Sequence, residues 1–404
     1  MKILMLTPYL PYPPSSGGQV RSYNLIKNIS KKHEITLFSL VKSDEEKKYI
    51  PELEKFCQKV EVFKRPDKPF TLKNIFKTGF GLYPLLVVRN WSSLEKEAVS
   101  RELATGSYQL IHAETFYIMP HIPKTSVPIL LVDQTIEFQV YQHVANTSKF
   151  WLLRPLLYYD VLKIRFWETR FWQKAAKVVA VSESDKKKML KLVPSLSVEV
   201  VPNGVGEDLI NLWPKRKKSG KPVVFFQGNF SWLQNTEAAK YLIDKVFPLI
   251  KTKIGDVSCL VAGQGAREKI GFLARGDIEI RDIANSDIEG VKKAYQEASV
   301  FLAPIFGPGG TRLKILGAMA SGLPVVTTAI GIEGIDANNG QEVLVRNKPE
   351  EMADAVVSLL KDQILFKRIT KAARQLIEKN YSWPKIADKL DKIYQEVGNY
   401  GKKG

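Results

Sequence analysis

The feature that most constrains this chain is an alternation that runs through most of its length and occurs as two series. Short runs rich in apolar and β-branched residues (KILMLTP, HEITLFSL, QLIHAE, PILLVDQ and KVVAVSE) are separated in several places by longer stretches of helical periodicity. Near-continuous apolar strands are buried on both faces, and helical crossovers between them imply parallel neighbours. A second series follows: PVVFFQG, SCLVAGQG, IEIRDI, ASVFLAP and LPVVTT. The predicted fold class is α/β, with two tandem Rossmann-like doubly wound domains facing a central cleft. Between the series, VPNGVGEDLINLWPKRKKSGKP is rich in Gly, Pro and Lys and reads as the linker. The expected divisions are an N-terminal domain over 1–203, a C-terminal domain over 204–382, and a C-terminal helix over 383–404 packing back toward the N-terminal domain. At 404 residues the chain is also too long for one ordinary core.

Several classes of protein are disfavoured. The opening MKILMLTPYLPYPP is apolar for only a few residues before Pro8 and lacks a small-residue cleavage site, so it reads as a first buried strand and not a secretion signal. No window approaches about 18 uncharged apolar residues, which argues against a transmembrane helix. Cys57 and Cys259 form no CxxC motif and read as buried thiols in a reducing compartment, so a cytoplasmic location is expected. The 60 Lys and Arg against 42 Asp and Glu give a formal charge of +18, which suits an anionic partner. Nucleic acid is disfavoured because no helix-turn-helix, finger or RNP pattern occurs. No DxD is present, and His33, His112, His121 and His143 lack metal-ligand spacing, so no metal and no other cofactor is expected.

In doubly wound sheets ligands bind beyond the carboxyl ends of the strands. Glycine-bearing loops fall at such ends: Gly17 and Gly18, Gly228 beside Asn229, Gly263 and Gly265, and Gly307 to Gly310. The stretch FGPGGTRLKILGAMASGLPVVTT, residues 306–328, reads as loop, helix and strand. Gly309 and Gly310 would let the backbone approach an anion at a helix N-terminus, with Thr311 as N-cap and Gly322 just past the C-terminus. Arg312 and Lys314 lie in the first turn on different faces, yet long side chains tilted toward the N-terminus can both reach a phosphate there. Arg312 is the stronger candidate, since its planar fork matches phosphate oxygens. Gly317 sits mid-helix, where glycine costs about 1 kcal/mol relative to alanine. Either the backbone is approached closely there or a ligand-contacting side chain has been lost.

GGTRLKILGAMASGLPVVTTAIGIEGI resembles the donor-site segment of the retaining family 4 glycosyltransferases, which have the GT-B fold of two Rossmann-like domains, and most of all the branch reading GGTRLKILEAM. PYPPSSGGQVRSYNLIKNI, VAVSESDKKKM, VPNGV, FQGNFSWLQNTEAAKYL and YSWPKIADKLDKIYQEV agree in the same order, so the resemblance spans nearly the whole chain. It implies a hexosyl or other glycosyl transferase of polysaccharide biosynthesis. Sugar would pass from a nucleotide-sugar donor to a saccharide or lipid-linked acceptor, with retention and without a metal. The donor would sit on the C-terminal half and the acceptor on the N-terminal half. The resemblance also implies that the loop Gly17, Gly18 to Arg21 approaches the donor phosphates or the acceptor. The backbone at Arg281, Asp282 and Ile283 would meet the base, and His112 would contact the donor sugar.

Three positions depart from the family pattern. Gly309 and Gly317 stand where glutamates for the sugar and the ribose are often found, and the resemblance therefore favours a lost side chain at Gly317. NFSWLQN, after Gly228 and Asn229, lacks the usual diphosphate-binding cations, a role that Arg312 and Lys314 could take over. Two other activities fit the two-domain fold: a nucleotide-sugar epimerase, or a catalytically weak binding protein. A dehydrogenase is poorly supported, because TPYLPYPPSSGG and not GxGxxG follows the first strand.

Residues 148–177, SKFWLLRPLLYYDVLKIRFWETRFWQKAAK, hold three tryptophans and seven Lys or Arg against two acids. Two readings stand: a basic aromatic surface for an anionic membrane face, with Lys163, Arg165 and Arg170 as contacts, or a cleft-lining helix pair with its aromatics in the core.

Overall fold

A computed structural model describes the chain except for residues 67, 69, 149, 213–219, 285–286, 308–310 and 401–404, and the side chains of 399 and 400. Two compact units result, Met1–Pro202 with Ile386–Gly404, and Asn203–Lys385.

Among the described residues the first unit has seven strands: β1 (Lys2–Thr7), β2 (Glu34–Val41), β3 (Lys59–Lys64), β4 (Leu110–Glu114), β5 (Ile129–Asp133), β6 (Lys177–Ala180) and β7 (Val198–Val200). Their order is β3-β2-β1-β4-β5-β6-β7, and every pairing is parallel. All five residues of β4 and of β5 are buried, as expected of inner parallel strands. Leu6, Phe38, Ile111 and Leu131 are fully buried core residues, and burial of each contributes roughly 1.5–3 kcal/mol. Helix α1 (Gly17–Ile29) starts at Ser16, whose side chain accepts from the Gln19 backbone N–H. Helices α2 (Leu72–Phe80) and α3 (Arg154–Lys174) belong to the same unit.

Among the described residues the second unit has six strands: β8 (Val223–Gln227), β9 (Ser258–Gly263), β10 (Ile278–Asp282), β11 (Val300–Ala303), β12 (Val325–Thr327) and β13 (Leu344–Val345). The order β10-β9-β8-β11-β12-β13 is again wholly parallel. Helices α4 (Leu233–Tyr241), α5 (Ile288–Glu297) and α6 (Leu313–Ala320) frame its strand ends. The last helix, α7 (Trp383–Tyr400), belongs to the first unit from Ile386 onward.

Both sheets reverse their winding once, between β1 and β4 and between β8 and β11. Such switch points open a crevice at the carboxyl ends of the strands. The segment read as a linker is partly structured, with a short helix at Glu207–Ile210 and a bridge from Val205 to Ser382, while 213–219 lie outside the described residues.

Candidate functional site

At the first switch point His112, which the resemblance sets against the donor sugar, belongs to a buried polar group. His112 is the third of five residues in β4, with no exposed surface, so the strand end is occupied by Glu114 and not by His112. His112 Nε2 lies 2.8 Å from Glu114 Oε2, and Nδ1 lies 2.5 Å from the Tyr394 hydroxyl of α7. Both ring nitrogens are therefore engaged inside the unit. The other carboxylate oxygen, Glu114 Oε1, accepts from Gln134 Nε2 at 2.7 Å and stands 3.7 Å from Arg21 Nε. Gln134 Nε2 also donates to Tyr9 Oη at 2.8 Å.

Burial would raise the Glu114 pKa, but the hydrogen bond and charge of His112, with Arg21 and Gln134, hold it below the ordinary carboxylate range. Arg21 is fully buried and donates from Nη1 to the Pro202 carbonyl at 2.9 Å. Gly18 is explained by close packing: a β-carbon there would lie 2.4 Å from the Tyr9 hydroxyl and 3.0 Å from Gln134 Oε1. Gly17, the first residue of α1, is exposed. Gly18, Arg21 and His112 thus meet around Glu114 and Gln134, with Gly17 next to Gly18 at the start of α1. Sequence reasoning missed Glu114, although residues two apart on a strand share a face, so His112 pointed to it. Tyr394 left no such signal, lying 282 residues from His112.

At the second switch point the loops after β8 and β9 interlock. Gly263 has φ 140°, and a β-carbon on it would fall 1.9 Å from the Gly228 carbonyl oxygen, so no other residue fits there. Asn229 Nδ2 donates to Gln264 Oε1 at 2.7 Å, and its carbonyl accepts from Asn235 Nδ2 on α4 at 2.7 Å. Asn235 Oδ1 in turn accepts from Lys314 Nζ. Asn229 and Lys314 are thereby joined through Asn235, beside the packed pair Gly228 and Gly263.

Lys314 is half-buried, its ammonium 5.0 Å from the Phe226 ring centroid. Burial, and then the charge of Arg312, lowers its pKa to about 7. Arg312 is 9% exposed, and its Nη2 donates to the Gly307 carbonyl at 2.7 Å. Two cations that repel one another beside a helix N-terminus form an arrangement that an anion would relieve.

Thr311 is not the N-cap. Helix α6 begins at Leu313 with Arg312 in the cap position, and the Thr311 hydroxyl is directed to the Gly334 carbonyl at 3.4 Å. Gly309 and Gly310 lie outside the described residues. On β10, Arg281 is committed to Glu279 at 2.8 Å and Glu297 at 2.9 Å. Asp282 is exposed at the strand end, while Ile283 is buried and its N–H meets the Gly263 carbonyl at 3.3 Å. Among the described residues no group of three His, Cys, Asp or Glu is placed to hold a metal ion.

Gly317 is buried, and a β-carbon there would lie 3.0 Å from both Leu209 Cδ1 and Tyr295 Oη. Neighbouring side chains would have to yield by a few tenths of an ångström to admit a β-carbon, which supports the close-approach reading of this glycine.

Comparison with known proteins bears on the family and the fold. Residues 15–209 match the family model described as Glycosyltransferase Family 4, and residues 221–362 the one described as Glycosyl transferases group 1. The phosphatidyl-myo-inositol mannosyltransferase of Mycobacterium leprae is 26% identical over 311 residues, covering 76% of this chain and 78% of that protein. Sucrose-phosphate synthase of Thermosynechococcus elongatus superposes with a TM-score of 0.69 at 14% identity, over 98% of this chain and 99% of the other. HepE of Anabaena, solved in complex with UDP-glucose, gives 0.64 at 15% identity over 98% and 100%.

Proposed function

Because the chain belongs to the family 4 glycosyltransferases and has their two-domain α/β GT-B fold, we propose that this glycosyltransferase takes its sugar from a nucleotide-sugar held by the second unit. The observation that carries the reading is the pair Arg312 and Lys314 at the start of α6, beside the Gly228–Gly263 loops. A structural neighbour solved with UDP-glucose supports the same donor class.

In the reaction, the bond between the anomeric carbon and the phosphate oxygen breaks, and its electron pair leaves with the nucleoside diphosphate. Arg312, protonated Lys314 and the N–H groups of α6 stabilise that developing charge, so no metal is required for it. An acceptor hydroxyl bonds to the anomeric carbon from the side of the departing phosphate, with retention, and that phosphate takes the hydroxyl proton. Gly17, exposed at the start of α1, faces the acceptor or the donor phosphates, while the buried Arg21 acts from within the unit beside Glu114 and Gly18 lets α1 pack against Tyr9. His112 acts from behind Glu114 as a positioning residue, and the backbone of Arg281, Asp282 and Ile283 approaches the base.

The acceptor is a saccharide or a lipid-linked acceptor of polysaccharide biosynthesis, met at an anionic membrane face. A relative named as a phosphatidyl-myo-inositol mannosyltransferase supports the lipid alternative. Among the described residues no helix is long and apolar enough to cross a membrane, so the association proposed is peripheral.

Nucleotide-sugars are first screened for thermal stabilisation of the protein. The stabilising donor is then incubated with oligosaccharide and glycolipid acceptors in the presence of EDTA, and the product anomer is read by NMR. Sugar incorporation with unchanged anomeric configuration is expected. Inversion, loss of transfer with EDTA, or donor epimerised or hydrolysed without incorporation would overturn the corresponding part of the proposal.

A further inference from the structure

The first unit carries an apolar surface on two elements that the proposed chemistry does not use. Residues 70–82, FTLKNIFKTGFGL, contain Lys73 and Lys77 and no acid. They form α2 and its flanks, where Asn74 is buried but Leu72, Phe76 and Phe80 are 77%, 63% and 87% exposed. The Phe76 and Phe80 rings stack with centroids 5.7 Å apart. The C-terminal end of α2 is tied to α3: Lys163 Nζ donates to the Thr78 and Gly81 carbonyls, each at 2.6 Å, and Trp167 Nε1 to the Leu82 carbonyl at 2.9 Å. Beside these anchors α3 exposes Leu156, Tyr159, Leu162 and Phe166, and the turn before it exposes Phe150 to Leu153.

The charges on these segments are sorted by sign. The two acids of 148–177 are turned inward, Asp160 accepting from the Leu85 N–H at 2.9 Å and Glu168 from the N–H groups of Glu137 and Phe138. Lys73, Lys77, Arg165, Arg170 and Lys174 remain exposed. A cavity of about 570 Å³ adjoins the surface through Trp167; Tyr83, Lys96, Arg170 and Lys174 also line it, and no acid does among the described residues.

We infer that α2 and the exposed side of α3 form a docking surface for an anionic phospholipid bilayer. Phe76, Phe80, Trp151 and Phe166 enter the headgroup–acyl boundary, and Lys73, Lys77, Arg170 and Lys174 meet lipid phosphates. The cavity beside Trp167 receives one anionic headgroup. This surface rests on the membrane clause of the proposed function and specifies the elements that make the contact. Lys163, expected from sequence to contact the membrane, is instead spent on capping α2, and the Arg165 guanidinium lies 5.7 Å from the Phe138 ring centroid.

Exposed apolar side chains gathered on neighbouring elements mark an interaction surface, whereas singly scattered ones need no explanation. A second copy is the weaker occupant, because a two-fold interface would set these lysines and arginines against their own symmetry mates.

The test is flotation of the full chain with vesicles of phosphatidylcholine alone or of phosphatidylcholine with phosphatidylglycerol, at low and at high salt. Wild type floats with the anionic vesicles at low salt only, and its tryptophan emission shifts to the blue. A Phe76→Ser, Phe80→Ser double variant and a Lys73→Glu, Lys77→Glu double variant each lose about tenfold or more in vesicle affinity. Both keep the wild-type melting temperature and the stabilisation by nucleotide-sugar. Arg170→Ala with Lys174→Ala reduces the preference for anionic over neutral vesicles. Absence of flotation at low salt, or wild-type flotation by the phenylalanine variant, overturns the inference, as does a concentration-dependent dimer abolished by that variant. Transfer to a soluble acceptor is measured in parallel, so loss of docking and loss of the proposed chemistry are read separately.

Discussion

The Tyr295 hydroxyl stands 3.0 Å from the point where a β-carbon on Gly317 would lie, and the same hydroxyl is 2.7 Å from Gln227 Oε1 and 3.1 Å from the Lys314 carbonyl oxygen. Tyr295 is almost fully buried and its ring stacks on Phe301, so it cannot easily yield. Helix α6 is thus seated on α5 through a position with no side chain.

Alanine at Gly317 therefore sets a helix-propensity gain of up to about 1 kcal/mol against overpacking of roughly 1–3 kcal/mol. Gly317→Ala is expected to lower the melting temperature, and Gly317→Glu to lower it further without tightening nucleotide binding. A higher melting temperature for the alanine variant would show that Tyr295 and Leu209 move aside freely.

Arg312→Ala is expected to weaken binding of a nucleoside diphosphate by about 1.5–3 kcal/mol and binding of the nucleoside alone much less. Arg312→Lys keeps the charge but not the fork and falls between. Calorimetric titration of both ligands decides the point, and an equal loss for the two would mean that Arg312 does not read the phosphates.

Lys314 makes that binding depend on pH near neutrality. Its pKa of about 7 means that the amine is protonated below pH 7 and increasingly neutral above it. A diphosphate favours the protonated form, so affinity is full below pH 7 and declines as the pH rises past it, with proton uptake on binding there. Titrations at pH 6 and pH 9 check this. Lys314→Met should give weaker binding with a flatter pH profile, and an unchanged slope in that variant would assign the titration to another group.

Much of this was legible in the sequence because parallel inner strands announce themselves as unbroken apolar runs. β1, β4, β8, β9 and β11 were all predicted, but the strand order that sets the two switch points was not. β3 reads KVEVFK and is partly exposed, while β7 and β13 have three and two residues, too short to show a period. The Arg312 and Lys314 cations were visible because a glycine-entered helix draws attention to its first turn. The partners Asn235 and Tyr295 were not, being 79 and 19 residues from Lys314 and joined to it only by folding. The same holds for the packing of Leu209 beneath Gly317, which lies in a stretch whose composition suggested only a linker.

His112 supports Glu114 from behind, and removing it takes a hydrogen-bonded partner from a buried carboxylate. His112→Ala should lower stability by about 1–3 kcal/mol, and Tyr394→Phe by about 1 kcal/mol. If Glu114 is positioned for the reaction through His112, turnover falls in His112→Ala with little change in nucleotide affinity. Denaturant melts alongside kcat and Kd separate the roles, and wild-type turnover in a less stable variant would leave His112 purely structural.

Carboxylates around α3 contribute a stability that falls as the pH rises from acid to neutral. Burial lifts the Glu137 pKa to about 7, against the pull of Arg89 and with a further push from Asp133. Asp133 is raised to about 7 and Glu168 well above its ordinary value, both chiefly by burial. A group whose folded pKa lies above its unfolded value holds an extra proton in the folded state between the two. Its stabilising contribution is complete below the unfolded value near 4 and is lost as the pH climbs to about 7. Glu137→Gln removes one such ionisation, in a side chain whose neutral form the fold already prefers. The variant should therefore match wild type at pH 4 and exceed it at pH 8 by about 1–3 kcal/mol, since each tenfold change in proton affinity corresponds to about 1.4 kcal/mol. Thermal melts across that range test the claim. A variant equally stabilised or destabilised at both ends would mean that Glu137 acts through packing and not through its charge.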